Sequence, residues 1–231
     1  MISGAQTSAA TSPAGTPGAR TRPEPGRRTS GGIFVALEGG DGGGKSTQAA
    51  LLRDWLGGLG HTVVLTREPG GSPLGVQVRE LLLHGDHVAP RAEALLYAAD
   101  RAHHVATVVR PALERGEVVV TDRYLDSSVA YQGAGRALAA QEIRDLSLWA
   151  VEGLLPDLTV LLDVSAATGR ERRGDVHDRL ESEPDDFHER VRAGFLALAA
   201  AEPQRYLVVD ASLPPEQVHA AVRERLAELL P

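Results

Sequence analysis

The segment Gly39-Gly40-Asp41-Gly42-Gly43-Gly44-Lys45-Ser46-Thr47 constrains this chain more than any other. It fits G-x-x-x-x-G-K-[ST], and it stands between an apolar run, Ile33 to Glu38, and an amphipathic stretch that begins at Lys45. In a strand-loop-helix context the motif has a mechanism. The glycines let successive backbone N–H groups turn inward around an anion, and the helix N-terminus adds its partial positive charge. Lys45 is then placed to bridge the β- and γ-phosphates of ATP, and the Ser46 hydroxyl to ligate Mg²⁺. The alternative is a flexible glycine turn that happens to contain Lys and Ser. The full motif, its context and the fact that Lys45 is the only lysine in the chain weigh against it. The same fact excludes an Asn-Lys-x-Asp guanine-reading motif, which disfavours the common GTPase switch. The length of 231 residues suits a small nucleotide or nucleoside kinase better than a motor or transport ATPase.

From Ile33 onward, short apolar runs alternate with long amphipathic stretches. Ile33–Glu38, Thr62–Thr66, Val118–Asp122, Leu158–Asp163 and Tyr206–Asp210 read as five buried strands of parallel type. Helical patterns lie between and after them at Lys45–Leu56, Val76–Leu83, Ala92–Glu114, Leu138–Glu152, Phe187–Ala201 and Glu216–Leu230. This repeat predicts an α/β doubly wound domain with right-handed crossovers, whose ligands sit at the carboxyl ends of the strands. Several of those ends are polar: Glu38, Thr66, Asp122, Asp163 and Asp210.

Residues 1–31 are a different material, rich in Ala, Ser, Thr, Pro, Gly and Arg, and the composition predicts a disordered leader. It lacks the apolar core of a secretory signal. An organellar transit peptide, a misplaced start codon and an inert tail all fit. Residues 32–231 form the expected single domain. The chain carries a formal charge of −7, which argues against coating nucleic acid, and it has no cysteine, which excludes disulfides, thiolate metal sites and a cysteine nucleophile. No stretch reads as a membrane span, so a cytoplasmic protein is expected. The eight histidines, including His84, His87, His103 and His104, offer no credible metal-ligand set.

After the second strand, Thr66-Arg67-Glu68-Pro69-Gly70-Gly71 places an arginine before a rigid turn, where it can grip a second phosphate bidentately or simply pair with Glu68 at the surface. Tyr97 and Arg101, four apart on one helical face, send a ring and a planar guanidinium into the same space. Asp122-Arg123-Tyr124 closes the third strand at the sheet's carboxyl edge, where Asp122 can cap the next helix. Together with Phe34 to Thr47 and Ala130-Tyr131-Gln132-Gly133 to Arg136, these segments resemble the thymidylate kinase family from Ile33 to the C-terminus.

That resemblance implies a P-loop nucleoside monophosphate kinase fold, with a five-stranded parallel sheet, flanking helices and a short lid at about 168–182. It implies phosphorylation of dTMP with MgATP and a homodimer that needs neither membrane nor nucleic acid. Tyr97 would stack on thymine and Arg101 would hydrogen-bond its carbonyl edge. Arg67 and Arg123 would hold the acceptor phosphate, with Ser128, Tyr131, Gln132 and Arg136 lining the sugar and base and Tyr131 crowding the ribose 2′ position. Asp122 would join Ser46 in the Mg²⁺ environment through water. Asp41 would lie near the 3′-hydroxyl and the transferring phosphate. Because Gly42, Gly43 and Gly44 bring no arginine to the loop, the resemblance is to the bacterial type, in which Arg172 or Arg173 of the run Gly169-Arg170-Glu171-Arg172-Arg173-Gly174 closes over ATP. Asp178-Arg179-Leu180-Glu181 resembles the lid-to-helix segment and could equally form an internal ion pair. A kinase of other base specificity and a non-catalytic ATP-binding module remain as alternatives.

Overall fold

In the computed structural model, which describes residues 1, 31–136, 138–172 and 178–231, the apolar runs become a five-stranded parallel sheet. The strands are β1 (Ile33–Glu38), β2 (Val63–Arg67), β3 (Val118–Asp122), β4 (Leu158–Asp163) and β5 (Tyr206–Asp210). Their spatial order is β2-β3-β1-β4-β5, so the chain switches direction across the sheet at β1. Every residue of β1 is buried because both faces are covered. Ile33, Val35 and Leu37 join one apolar cluster with Leu52, Leu56, Val218 and Val222, while Phe34 and Ala36 join another with Val105, Val109 and Val119. The edge strands β2 and β5 are only partly buried, and they carry exposed side chains such as Leu65 and Val208.

The helices are α1 (Lys45–Gly58), α2 (Pro73–Arg79), α3 (Pro90–His104), α4 (Arg110–Glu114), α5 (Leu125–Ser128), α6 (Ala140–Ala150), α7 (Ala166–Arg172), α8 (Asp185–Ala201) and α9 (Pro215–Ala227). Sequence and local chemistry agree at the starts. Ser72 caps α2 by accepting from the Gly75 N–H at 3.0 Å, and Pro73 and Pro90 occupy first-turn positions. The expected long helix 92–114 is one helical path whose middle, Val105–Val109, widens into a π turn. A similar turn at Glu80–His84 follows α2. Two elements were not expected. The path 125–135, made of α5 and a π segment Val129–Gly135, was read only as motif residues, and α7 was read as a charge run. The first is short and rich in Ser, Gly and Ala, so helical periodicity is weak in it. Its burial is set by packing against α6 and α8. Residues 2–30 of the proposed leader and part of the proposed lid, including Arg173, lie outside the described residues.

Candidate active site

At the carboxyl edge of the sheet, beside β1, lies a cavity of about 780 Å³. Its floor is the glycine loop. Gly44 adopts φ +85 as the residue before α1, and Gly42 adopts φ +78. A Cβ on Gly42 would fall 2.2 Å from the carbonyl oxygen of Gly169, so α7 closes on the loop where no side chain fits. An arginine carried by the loop at that position is sterically excluded. Lys45 is buried at the start of α1 and donates to the carbonyls of Gly39 at 3.1 Å and Gly40 at 2.9 Å, with burial and neighbouring Arg123 lowering its pKa. Ser46 donates to Asp122 Oδ2 at 3.2 Å, which sets side by side two oxygens of the kind hard cations favour.

Arg123 is the junction between the two ends of the cavity. It sits at φ +69, a left-handed conformation that a non-glycine residue adopts only when its surroundings enforce it. Its N–H donates to the Leu37 carbonyl at 2.9 Å, its carbonyl accepts from the Thr121 hydroxyl at 2.9 Å, and the residues that follow it are held by Glu38, the last residue of β1. Its wholly buried carboxylate accepts from the Tyr124 N–H at 2.8 Å, the Ser127 N–H at 3.1 Å and the Ser127 hydroxyl at 2.5 Å. Burial, reinforced by nearby Asp126, raises the Glu38 carboxyl to about 7. So held, Arg123 reaches Asp41 Oδ1 at 2.5 Å, the Tyr131 hydroxyl at 3.1 Å and the Gly39 carbonyl at 3.0 Å, and Tyr131 donates to Asp41 Oδ2 at 2.9 Å. Burial alone would raise the Asp41 carboxyl, but Arg123 and Lys45 hold it far below the usual carboxylate range.

Beyond Arg123, the cavity is lined by Arg67, Tyr97, Arg101, Ser128, Tyr131 and Gln132, so of the residues expected on the acceptor side all but Arg136 reach it. Arg67 is exposed at the end of β2, and Glu68 does not pair with it. Glu68 is buried and accepts instead from Arg101 Nε at 2.6 Å, with His104 Nδ1 at 2.8 Å from its other oxygen. Arg101 is also buried. Its remaining bonds run to Ser147 at 3.4 Å, the Tyr124 carbonyl at 3.2 Å and Ser128 at 3.1 Å, which leaves one Nη1 hydrogen for a ligand. The expected grip of Arg101 on a base edge is therefore narrowed to a single donor. Arg136 does not line the cavity; it turns to Glu93 and Glu183. Arg179 forms the internal pair that was one of its two readings, donating to Glu93 Oε2 at 2.5 Å. Arg172 donates to the carbonyls of Ala211 at 2.5 Å and Ser212 at 3.3 Å, on the β5–α9 side of the cavity.

Of the buried carboxylates that hold this site, Glu93 was not named from the sequence, Glu38 was named only as a polar strand end and Glu68 only as a surface partner for Arg67. A buried acidic residue at the last position of a fully apolar strand, as at Glu38, was the one available signal.

A glycine loop opening onto a second, arginine-lined end of the same cavity, on a parallel sheet of this order, defines a P-loop nucleoside monophosphate kinase. The family model for thymidylate kinase matches residues 37–222. The thymidylate kinase of Leifsonia xyli subsp. xyli is 70% identical over 200 residues, covering 84% of this chain and 94% of that relative. That of Clavibacter michiganensis subsp. michiganensis is 68% identical over 203 residues, covering 86% of this chain and 96% of the relative. The crystal structure of thymidylate kinase from Ehrlichia chaffeensis superposes with a TM-score of 0.71 at 33% identity, covering 85% of this chain and 99% of that one. The chain belongs to the thymidylate kinase family.

Proposed function

We propose that the protein transfers the γ-phosphoryl group of MgATP to the 5′-phosphate of dTMP, giving dTDP and ADP. The observation that carries this reading is the joining, in one cavity, of the phosphate loop with Arg67, Arg123 and the Tyr97/Arg101/Ser128/Gln132 pocket. A monoester with a second pKa near ~6 is already a dianion at neutral pH, so its oxygen attacks the γ-phosphorus without a strong base. The P–O bond to the β-phosphate breaks, and its electron pair leaves on ADP. Positioning and charge do the work. Lys45 holds the β- and γ-phosphates in the backbone nest, Arg67 and Arg123 hold the acceptor, and Arg172, with Arg173 beyond the described residues, offsets charge on the transferring group.

Mg²⁺ fits the donor set formed by Ser46 and, through water, Asp122, and when bound it neutralises charge on the β- and γ-phosphates. Tyr131, locked between Asp41 and Arg123, crowds the ribose 2′ side and favours deoxynucleotides.

The kinase domain spans 32–231, with a lid at about 168–182. No described helix is long and apolar enough to cross a membrane, and the protein acts in the cytoplasm. It works as a homodimer, for which exposed Leu95 on α3 and Trp149 on α6 supply apolar contact surface.

Coupled ADP release with MgATP and dTMP, dUMP, UMP, dCMP, AMP and dGMP tests the reading. Strong preference for dTMP is expected. Preference for another monophosphate moves the base pocket, and turnover of none removes the catalytic reading.

A further inference from the structure

Glu93 lies in the first turn of α3, wholly buried, and nothing in the phosphoryl-transfer chemistry uses it. It nevertheless gathers three side chains from elsewhere in the fold. Gln132 Nε2 stands 2.9 Å from its Oε1, Arg136 reaches both oxygens at 3.4 and 3.5 Å, and Arg179 Nη2 is 2.5 Å from its Oε2. Burial would raise its carboxyl, but the hydrogen bonds from Gln132 and Arg179 hold it below the ordinary value, so it stays ionised. An ionised carboxylate only accepts hydrogen bonds. The amide of Gln132 can therefore face it in one orientation, Nε2 toward Glu93 and Oε1 away. That Oε1 makes no hydrogen bond among the described residues, and Gln132 lines the cavity beside Tyr97, Arg101 and Ser128.

We propose that Glu93 is a positioning residue for base selection: by fixing the Gln132 amide, it presents a carbonyl acceptor to the base and selects pyrimidine monophosphates that carry an N3–H. The inference rests on the reading of this cavity end as the dTMP site. Thymine and uracil share the imide N3–H, which a fixed acceptor satisfies. Cytosine offers a lone pair at N3, and two acceptors facing each other in a buried site both go unpaired. A freely turning amide would adapt to either base, and the carboxylate removes that freedom. The ties to Arg136 and Arg179 serve the fold, and their loss moves all substrates alike.

The experiment compares kcat and KM for dTMP, dUMP and dCMP in the parent protein and in Glu93→Gln, whose side-chain amide can donate to Gln132 and permit the flip. In the variant, the dTMP-to-dCMP ratio of kcat/KM is expected to fall at least about tenfold, mainly through KM for dTMP, while the dTMP-to-dUMP ratio stays within about twofold. A uniform loss across the three substrates overturns the proposal. If Glu93→Gln does not fold, Glu93→Asp carries the same test, since it keeps the charge facing Arg136 and Arg179 but withdraws the acceptor from Gln132 by one methylene. On the parent protein, N3-methyl-dTMP is expected to lose at least about 30-fold in kcat/KM, and a loss under threefold overturns the proposal. A parent enzyme that prefers dCMP or a purine monophosphate refutes the function reading itself. One that prefers dTMP while its Glu93 variants keep the base ratio refutes this inference alone.

Discussion

The two ends of the cavity are made of different material. The ATP end is backbone, with nine consecutive residues, Gly39 to Thr47, one buried lysine and a floor at Gly42 too tight for a methyl group. The acceptor end is side chains drawn from β2, α3, the turn after β3 and the 125–135 path, and three of them are held in place by a buried carboxylate. Glu38 sets Arg123, Glu68 sets Arg101, and Glu93 sets Gln132. The contrast follows from what each end must recognise. A polyphosphate is satisfied by any ring of inward N–H groups, whereas a particular base requires donors and acceptors at fixed points, and flexible side chains reach fixed points only when buried partners hold them.

The largest break in this comparison comes from Lys45→Met, which removes the one positive side-chain charge of the phosphate loop. We expect kcat to fall by about 10³-fold with the melting temperature no lower than the parent's, because the buried ammonium is exchanged for an apolar chain. A variant retaining a tenth of parental kcat in the coupled ADP assay would show that the backbone nest suffices.

Next comes the junction. Arg123→Lys keeps the charge but loses the fork that spans Asp41, Tyr131 and the Gly39 carbonyl, so kcat should drop about 100-fold while KM for ATP stays within about threefold. Equal losses in both parameters would place Arg123 in ATP binding instead.

Gly42→Ala probes the backbone end alone. Its methyl collides with the Gly169 carbonyl, so α7 must move outward, and we expect KM for ATP to rise about tenfold with KM for dTMP nearly unchanged. A rise in KM for dTMP of the same size would mean that the two ends do not separate as described.

The same division governs what could be read from the sequence. The strands were legible to within a residue, since parallel strands buried on both faces are uninterrupted apolar runs bounded by turns. The phosphate loop was legible because its function resides in contiguous backbone, which a linear motif records. The acceptor residues Arg67, Tyr97, Arg101, Ser128, Tyr131 and Gln132 could be named through resemblance, and the structure brings all of them to one cavity. The supporting role of their carboxylates could not be read. Glu68 read as a turn residue beside Arg67, yet tertiary packing turns it inward to Arg101 and His104. Glu93 is separated from Gln132 by 39 positions and from Arg179 by 86, so no local pattern marks it. The charge run at 170–173 gave no sign that Arg172 would anchor to the Ala211 and Ser212 carbonyls.

The smallest expected effect touches the stability of the acceptor end rather than its chemistry. Asp100 is wholly buried on α3. Its Oδ1 takes a long hydrogen bond, 3.4 Å, from the Gly70 N–H, and its Oδ2 has no partner among the described residues. Burial, with the negative charge of Glu68 nearby, raises its carboxyl to about 6. The folded protein thus binds this proton more tightly than the unfolded chain, whose ordinary value is near ~4, and stability falls as pH rises through that window and then levels off above it. Asp100→Asn removes the titration. Near pH 4.5 the variant and parent should melt within about two degrees of each other. At pH 7.5 the variant should be the more stable by up to roughly 3 kcal/mol, several degrees in melting temperature, with dTMP turnover changed less than about twofold. Thermal melts at the two pH values decide it. A gain independent of pH would assign the effect to packing, and a loss at pH 7.5 would mean that the charge of Asp100 supports the Pro69–Gly71 turn. The predicted sign follows from how the acceptor end is built: three carboxylates there have paired partners, and the fourth, beside Glu68, is ionised at neutral pH with one oxygen unpaired.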